Sequence, residues 1–239
     1  MADIQHTTIT YTANHQEMEG VLVFDAALSG TRPGLVMAPN WMGVTENAVR
    51  LAGQVAAQGY AVFIADLYGK GNRPTSPEEA GAAMGAVKDT ADEVVRMAAA
   101  LATLKDQAFV AVDSNRVAAF GFCFGGHCAL ELARSGEALR AAISFHGTLD
   151  ASGLHDAKNV QCPLLVLDGA SDPLVPREQL TAFAQEMNGV GADWQLVSYG
   201  GAVHSFTDPN ANVEGVAKFH PTVSTRAFNA MYALLDEVI

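Results

Sequence analysis

The most reactive arrangement in the chain is Gly121-Phe122-Cys123-Phe124-Gly125. It follows a continuous apolar run, RVAAFGF at 116–122, and opens a helical stretch at about 126–135. A nucleophile flanked by glycines two residues to either side is the pattern of a sharp strand-to-helix elbow. The glycines let the chain fold tightly where a Cβ would clash. Cys123 would then project from the carboxyl end of a strand, beside a helix N-terminus whose partial positive charge favours thiolate over thiol. The bland alternative is a small buried hydrophobe in a glycine-rich turn.

An elbow of this kind expects an acid and then a histidine further along the chain, both in loops after strands. Asp172 sits in Gly169-Ala170-Ser171-Asp172-Pro173 after the run PLLVLDG (163–169). His204 sits in Gly201-Ala202-Val203-His204-Ser205-Phe206 after WQLVSYG (194–200). The acid would orient the imidazole and select its tautomer. Asp168 is the rival acid, placed at the strand end with less reach.

Positioning these groups takes a scaffold, and its pattern is visible. Continuous apolar runs at 34–39, 60–66, 116–122, 141–147, 163–169 and 194–200 suit strands buried on both faces. Helical stretches at roughly 45–58, 77–105, 126–135, 177–189 and 221–238 alternate with them. Such alternation predicts an α/β fold with a mainly parallel sheet. Residues 7–12 and 19–24, joined by the polar linker ANHQEM, predict an antiparallel hairpin at the sheet edge, for about eight strands in all. Ser76-Pro77-Glu78-Glu79 reads as a helix start, with a hydroxyl N-cap, proline at N1 and glutamate at N3. No linker divides the 239 residues, so one domain over 1–239 is expected.

Composition closes several function classes. Fourteen Lys+Arg against 26 Asp+Glu give a net charge of −12, which repels nucleic acid, and no basic patch overrides it. No 18-residue apolar run predicts a membrane span, and the opening MADIQHTTIT lacks the features of a signal peptide. Three cysteines fit a reducing compartment better than a disulfide scaffold, so a soluble cytoplasmic location is expected. No His/Cys spacing suggests a metal ligand set, and Gly69-Lys70-Gly71 lacks the phosphate-loop pattern. Neither metal nor cofactor is expected.

Together these features resemble the dienelactone hydrolase family of the α/β-hydrolase fold over nearly the whole chain. The motifs that carry the resemblance are Gly59-Tyr60, Asp66-Leu67-Tyr68, Gly121 to Gly126, Gly169 to Pro173 and His204-Ser205-Phe206. The resemblance implies a Cys–His–Asp triad, here Cys123, His204 and Asp172. It also implies an oxyanion hole from two backbone N–H groups, here those of Phe124 and of Trp41 in Asn40-Trp41-Met42-Gly43. The activity implied is hydrolysis of esters or lactones through an acyl-cysteine intermediate. A thiolate leaves readily, so activated substrates are expected: lactones, enol esters, aryl esters and aryl phosphotriesters.

Two positions depart from the family. Asn40 stands where the family carries a glutamate, and Thr207-Asp208-Pro209 follows where an arginine would clamp a substrate carboxylate. The resemblance therefore extends to the catalytic machinery and not to the family's named substrate. Lys70 or Arg73 is a candidate replacement cation, and Asn40, His146 and Phe206 are candidate pocket residues. The remaining histidines read as surface, packing or capping residues, His127 among them. Cys128 and Cys162 read as buried hydrophobes. Two other function classes stay open at this point: a thiol redox protein using Cys123, and a binding module without turnover.

Overall fold

The computed structural model describes residues 2–239. Its first two strands, β1 (Ile4–Ala13) and β2 (Gln16–Asp25), form an antiparallel hairpin. The turn is only two residues long. Asn14 and His15 both adopt positive φ, 45° and 63°, the geometry of a hairpin turn whose twist matches its strands. The six-residue linker expected from sequence is therefore mostly strand.

Six further strands complete one sheet: β3 (Arg32–Ala38), β4 (Ala61–Ile64), β5 (Val112–Phe122), β6 (Ala142–Phe145), β7 (Leu164–Gly169) and β8 (Trp194–Tyr199). Their order is β1-β2-β4-β3-β5-β6-β7-β8. The hairpin joins antiparallel through β2 and β4, and every pair from β4 to β8 is parallel. All carboxyl ends of the parallel strands therefore lie along one edge, where ligands bind in open α/β sheets.

Both faces are covered, which is why the inner strands are continuously apolar. Helices α1 (Glu46–Ala56) and α6 (Pro221–Val238) pack on one face through Leu51, Val55, Phe228 and Met231. On the other, α3 (Ala91–Asp106), α4 (Phe124–Arg134) and α5 (Arg177–Val190) contribute Met97, Leu101, Leu132 and Phe183. β8 differs from the expectation of full burial. It is an edge strand with one neighbour, and none of its residues is fully buried.

Two further features depart from the sequence reading. The helical stretch 77–105 is two helices, α2 (Pro77–Gly85) and α3, and Asp89 between them has φ of 60°. The break is local: Thr90 stands at the N-cap of α3 with its hydroxyl donating to Val87 O at 2.7 Å, and the Glu93 carboxylate accepts from the Asp89 N–H at 2.8 Å. A short hairpin, β9 (Asn212–Val213) with β10 (Ala217–Lys218), follows His204 and was not expected. At the start of α2 the Ser76 side chain accepts from the Glu79 N–H, as the Ser-Pro-Glu-Glu pattern predicts.

Candidate active site

The elbow lies between β5 and α4. Cys123 has φ 57° and ψ −121°, a conformation that costs a non-glycine residue about 1–3 kcal/mol. The surroundings enforce it. The Cys123 N–H donates to Phe145 O on β6 at 3.0 Å, and the Cys123 carbonyl accepts from the Gly126 N–H at 2.9 Å. A Cβ on Gly121 would collide with the Gly125 carbonyl, and one on Gly125 with the Ala38 carbonyl at the end of β3. Both glycines are thus required by close backbone approach, and the partly exposed Cys123 is aimed outward from the sheet edge.

Asp172 and His204 come from the loops after β7 and β8. His204 Nδ1 donates to Asp172 Oδ2 at 2.8 Å, with both residues 4% exposed. Asp172 Oδ1 is occupied by the Leu174 N–H at 2.8 Å, which fixes the carboxylate plane. The β9–β10 hairpin holds the histidine backbone: the His204 N–H donates to Val216 O, and its carbonyl accepts from Lys218 N–H at 3.0 Å. Asp168, the rival acid, points elsewhere. It is bound by Arg177 at 2.6 and 3.0 Å and by the Ser198 hydroxyl at 2.6 Å.

Burial alone would discharge the His204 ring. Hydrogen bonding to Asp172 and to Cys123, and the charges of both, outweigh it and raise its pKa to about 10. His204 Nε2 is buried and has no hydrogen-bond partner.

Cys123 and His204 both face a cavity of about 540 Å³ at the carboxyl edge of the sheet. Trp41 and Phe124 line it beside them. The Phe124 N–H is in the first turn of α4, where no intrahelical acceptor exists. Among the described residues the Trp41 N–H has no backbone or side-chain acceptor. The loop carrying Trp41 is held rigid. Asn40 Oδ1 accepts from Met42 N–H at 3.0 Å, and the Tyr68 hydroxyl donates to Trp41 O at 2.7 Å. Burial pushes the Tyr68 hydroxyl well above the usual phenol range, so it stays a donor. Asp66 in turn anchors Tyr68 by accepting its N–H at 3.0 Å.

Four candidate pocket residues do not line this cavity. Lys70 pairs with Glu17 at 3.5 Å. Arg73 is drawn to Asp66 at 3.3 Å and to the Glu19 carbonyl at 2.8 Å. Both cations are thus held against the β2 side of the sheet by nearby acids. His146 is 3% exposed and sits behind His204, its ring edge-on at 5.0 Å and its Nε2 2.9 Å from Thr207 Oγ1. Burial and the His204 charge push its pKa well below the ordinary histidine value. Phe206 is fully buried beneath it at 4.9 Å. These two support His204 from behind. Asn40 does line the cavity.

The sequence reading missed most of the cavity wall. Met84 and Lys88 come from α2 and the segment after it, Thr148 from the segment after β6, Leu174 from the Asp172 loop, and Val213, Val216 and Ala217 from the unexpected hairpin. The cavity's surface is overwhelmingly apolar. Its cation, Lys88, is committed to Asp89 at 2.8 Å and Asp150 at 2.7 Å.

Comparison with known proteins follows the same lines. A solved structure named m3DLH is 40% identical, with a TM-score of 0.92 and 99% of each chain covered. A dienelactone hydrolase-like promiscuous phosphotriesterase from metagenomic libraries is 36% identical, with a TM-score of 0.90, covering 100% of this chain and 99% of its own. A "Probable 2-oxo-3-(5-oxofuran-2-ylidene)propanoate lactonase" of Bradyrhizobium sp is 27% identical over 191 residues, 75% of each protein. The sheet order and its flanking helices are those of the α/β-hydrolase fold. The model of the dienelactone hydrolase family matches residues 18–239, and the chain belongs to that family.

Proposed function

We propose that the protein hydrolyses activated, largely apolar esters and lactones through a covalent acyl-cysteine at Cys123. The observation that supports this most is the Asp172–His204 pair, 2.8 Å apart, opening with Cys123 onto one apolar cavity at the sheet edge. In this reading the Cys123 sulfur attacks the substrate carbonyl carbon and the carbonyl oxygen becomes an oxyanion. The Trp41 and Phe124 N–H groups receive it, each worth roughly 3–4 kcal/mol by analogy with other oxyanion holes. The His204 imidazolium then gives its Nε2 proton to the leaving alkoxide as the C–O bond breaks. Neutral His204 next takes a proton from water, whose oxygen attacks the thioester and releases the acid and the thiolate. Asp172 keeps the proton of Nδ1 in place throughout and stabilises the imidazolium.

Thiolate is a better leaving group than a simple alkoxide, so a tetrahedral intermediate on Cys123 partitions forward only when the alcohol is also a good leaving group. Lactones under strain, enol esters and aryl esters meet that condition. The relationship to a promiscuous phosphotriesterase extends the proposal to aryl phosphotriesters with a phenolate leaving group. The test is a panel of p-nitrophenyl esters, simple lactones and aryl phosphotriesters run on wild type and Cys123→Ala. Turnover by the wild type and its loss in the variant are expected. Equal rates in both would refute the assignment.

A further inference from the structure

Beside the cavity, on its α2–α3 side, lies a second cluster of ligating groups that the proposed hydrolysis does not use. His127, in the first turn of α4, is completely buried, and neither ring nitrogen has a hydrogen-bond partner. Its Nε2 lies 3.3 Å from Asp89 Oδ1 and 3.3 Å from Glu93 Oε1, and its Nδ1 lies 3.9 Å from Asp150 Oδ1. Glu93 Oε1 and Asp150 Oδ1 are also buried without partners. Buried polar atoms are nearly always paired, and these orphans surround one imidazole, with Glu93 Oε1 near Nε2 and Asp150 Oδ1 near Nδ1.

We propose that Asp89, His127 and Asp150, with Glu93 alongside, form a binding site for a divalent first-row transition ion such as Zn²⁺. One ligand atom from each of Asp89, His127 and Asp150 lies within 4.8 Å of the others. Metal bonds of about 2.0–2.2 Å in tetrahedral geometry put ligand atoms roughly 3.3–3.6 Å apart. The 3.3 Å separations from Nε2 to Asp89 and to Glu93 fit that spacing, and Asp150, 3.9 Å from Nδ1, lies just outside it. An imidazole among carboxylates suits Zn²⁺ and its neighbours better than the all-oxygen preference of Ca²⁺ or Mg²⁺.

The outer groups are arranged as ligand supports. Lys88 Nζ bonds Asp89 Oδ2 at 2.8 Å and Asp150 Oδ2 at 2.7 Å, which leaves each Oδ1 turned toward His127. Hydrogen bonds of this kind orient ligating carboxylates. Three carboxylates against one ammonium leave two uncompensated negative charges, which a divalent ion neutralises. Asp89 and Asp150 are partly exposed, so the ion has a path in from solvent. Asp89 lies at the break between α2 and α3, where its backbone adopts φ of 60°. An ion here ties that break, the first turn of α4 and the segment after β6 into one cavity wall.

The test uses the full chain carrying Cys123→Ala, dialysed against chelator, so that the cavity thiol cannot take the ion; it is therefore independent of the proposed hydrolysis. Calorimetric titration with ZnCl₂ should show one site. Melting at a Zn²⁺ concentration 100-fold above Kd should rise by about 5–10 °C. Co²⁺ should give d–d absorption of a low-coordinate N/O site, and Mg²⁺ should not raise the melting temperature. Asp89→Asn and His127→Gln should each weaken Zn²⁺ at least tenfold. Because His127 is buried and its variant risks misfolding, the partly exposed Asp89 decides the matter. If a proton rather than a metal ion bridges the cluster, added Zn²⁺ leaves melting unchanged, and that overturns the proposal. Unchanged affinity in Asp89→Asn overturns it too.

Discussion

Asp172 Oδ2 and His204 Nδ1 meet at 2.8 Å where the loops following two adjacent strands, β7 and β8, touch. The contact depends on Gly169. A Cβ there would lie 2.8 Å from Ala202 O and 3.0 Å from Val203 O. The Ser171 N–H also donates to Ala202 O at 2.9 Å, so the two loops are locked together by their backbones. The bond holds the ring by Nδ1 and leaves Nε2 without a hydrogen-bond partner. Asp172→Asn keeps the shape and offers an N–H where an acceptor is needed. It should lower kcat/KM by on the order of 10²–10⁴-fold, with melting little changed. Activity within threefold of wild type would show that Asp172 does not orient a working histidine.

The raised pKa of His204 has a consequence for stability. The folded state holds the imidazolium to about pH 10, whereas an ordinary histidine gives up its proton near 6.5. A group that binds its proton more tightly when folded stabilises the fold fully below about pH 6.5 and loses that contribution as pH rises to about 10. The melting-temperature difference between wild type and His204→Gln should therefore shrink across that window. Since Cys123 is one of the groups raising the pKa, Cys123→Ala should lower the His204 titration midpoint seen by NMR. A midpoint unmoved by Cys123→Ala would show that the sulfur does not couple to the ring.

Much of this architecture was legible in the chain, and the exceptions share a cause. Buried strands and the glycine-flanked elbow are set by neighbouring residues, so continuous apolar runs and short motifs reveal them. The β9–β10 hairpin is two residues a side and exists through backbone bonds to His204, far more than through its own composition. Lys70 and Arg73, which follow the Asp66-Leu67-Tyr68 motif, are the cations that the chain itself suggests for the cavity. Glu17, Glu19 and Asp66 hold them away, and Lys88 takes the place from a segment that read as uninterrupted helix. The Asp89, His127 and Asp150 cluster spans three separate segments, so no ligand spacing along the chain announces it.

Charge selectivity follows from Lys88. Burial would discharge its amine, but Asp150 and Asp89 hold it protonated and at the same time neutralise it. Neutral esters should therefore exceed carboxylate-bearing lactones in kcat/KM. Asp150→Asn removes one of the two counter-charges and should raise the anionic-to-neutral ratio of kcat/KM by about tenfold, or ~1.4 kcal/mol. If wild type already favours the anionic lactone, Lys88 is not neutralised in the working enzyme.

Tyr68 offers a test of the loop that presents Trp41. Its hydroxyl donates to Trp41 O at 2.7 Å, and Trp41 lines the cavity. Tyr68→Phe removes that one hydrogen bond and leaves the ring packed. A loss of about 5–20-fold in kcat with little change in KM is expected, in line with ~1–2 kcal/mol for an unmet buried acceptor. An effect on KM alone would place Tyr68 in substrate binding and not in holding the loop.

The swap Cys123→Ser asks whether the site is built around sulfur. Serine is smaller and far less acidic, so it depends on a base to remove its proton as it attacks. The elbow, Asp172 and His204 would still form the arrangement that serine hydrolases use. Yet the base is compromised, because a histidine whose pKa is raised to about 10 is already protonated at neutral pH. In the proposed mechanism that state is useful with sulfur, since the imidazolium pairs with the nucleophile and supplies the leaving group's proton. With an oxygen nucleophile it is the wrong ionisation state, and Asn40 offers no second base, its side-chain oxygen accepting from the Met42 N–H. Removing sulfur also removes one of the groups that raise the His204 pKa, so part of the deficit is recovered, but Asp172 remains. The expected loss in kcat/KM is on the order of 10²-fold or more, at least ~2.7 kcal/mol of transition-state stabilisation. The strained φ of 57° is no harder for serine than for cysteine, so stability should stay within about 1 kcal/mol. Wild-type rates in the serine variant would show that His204 is free to act as a base at neutral pH, and with that the argument for activated leaving groups would fall.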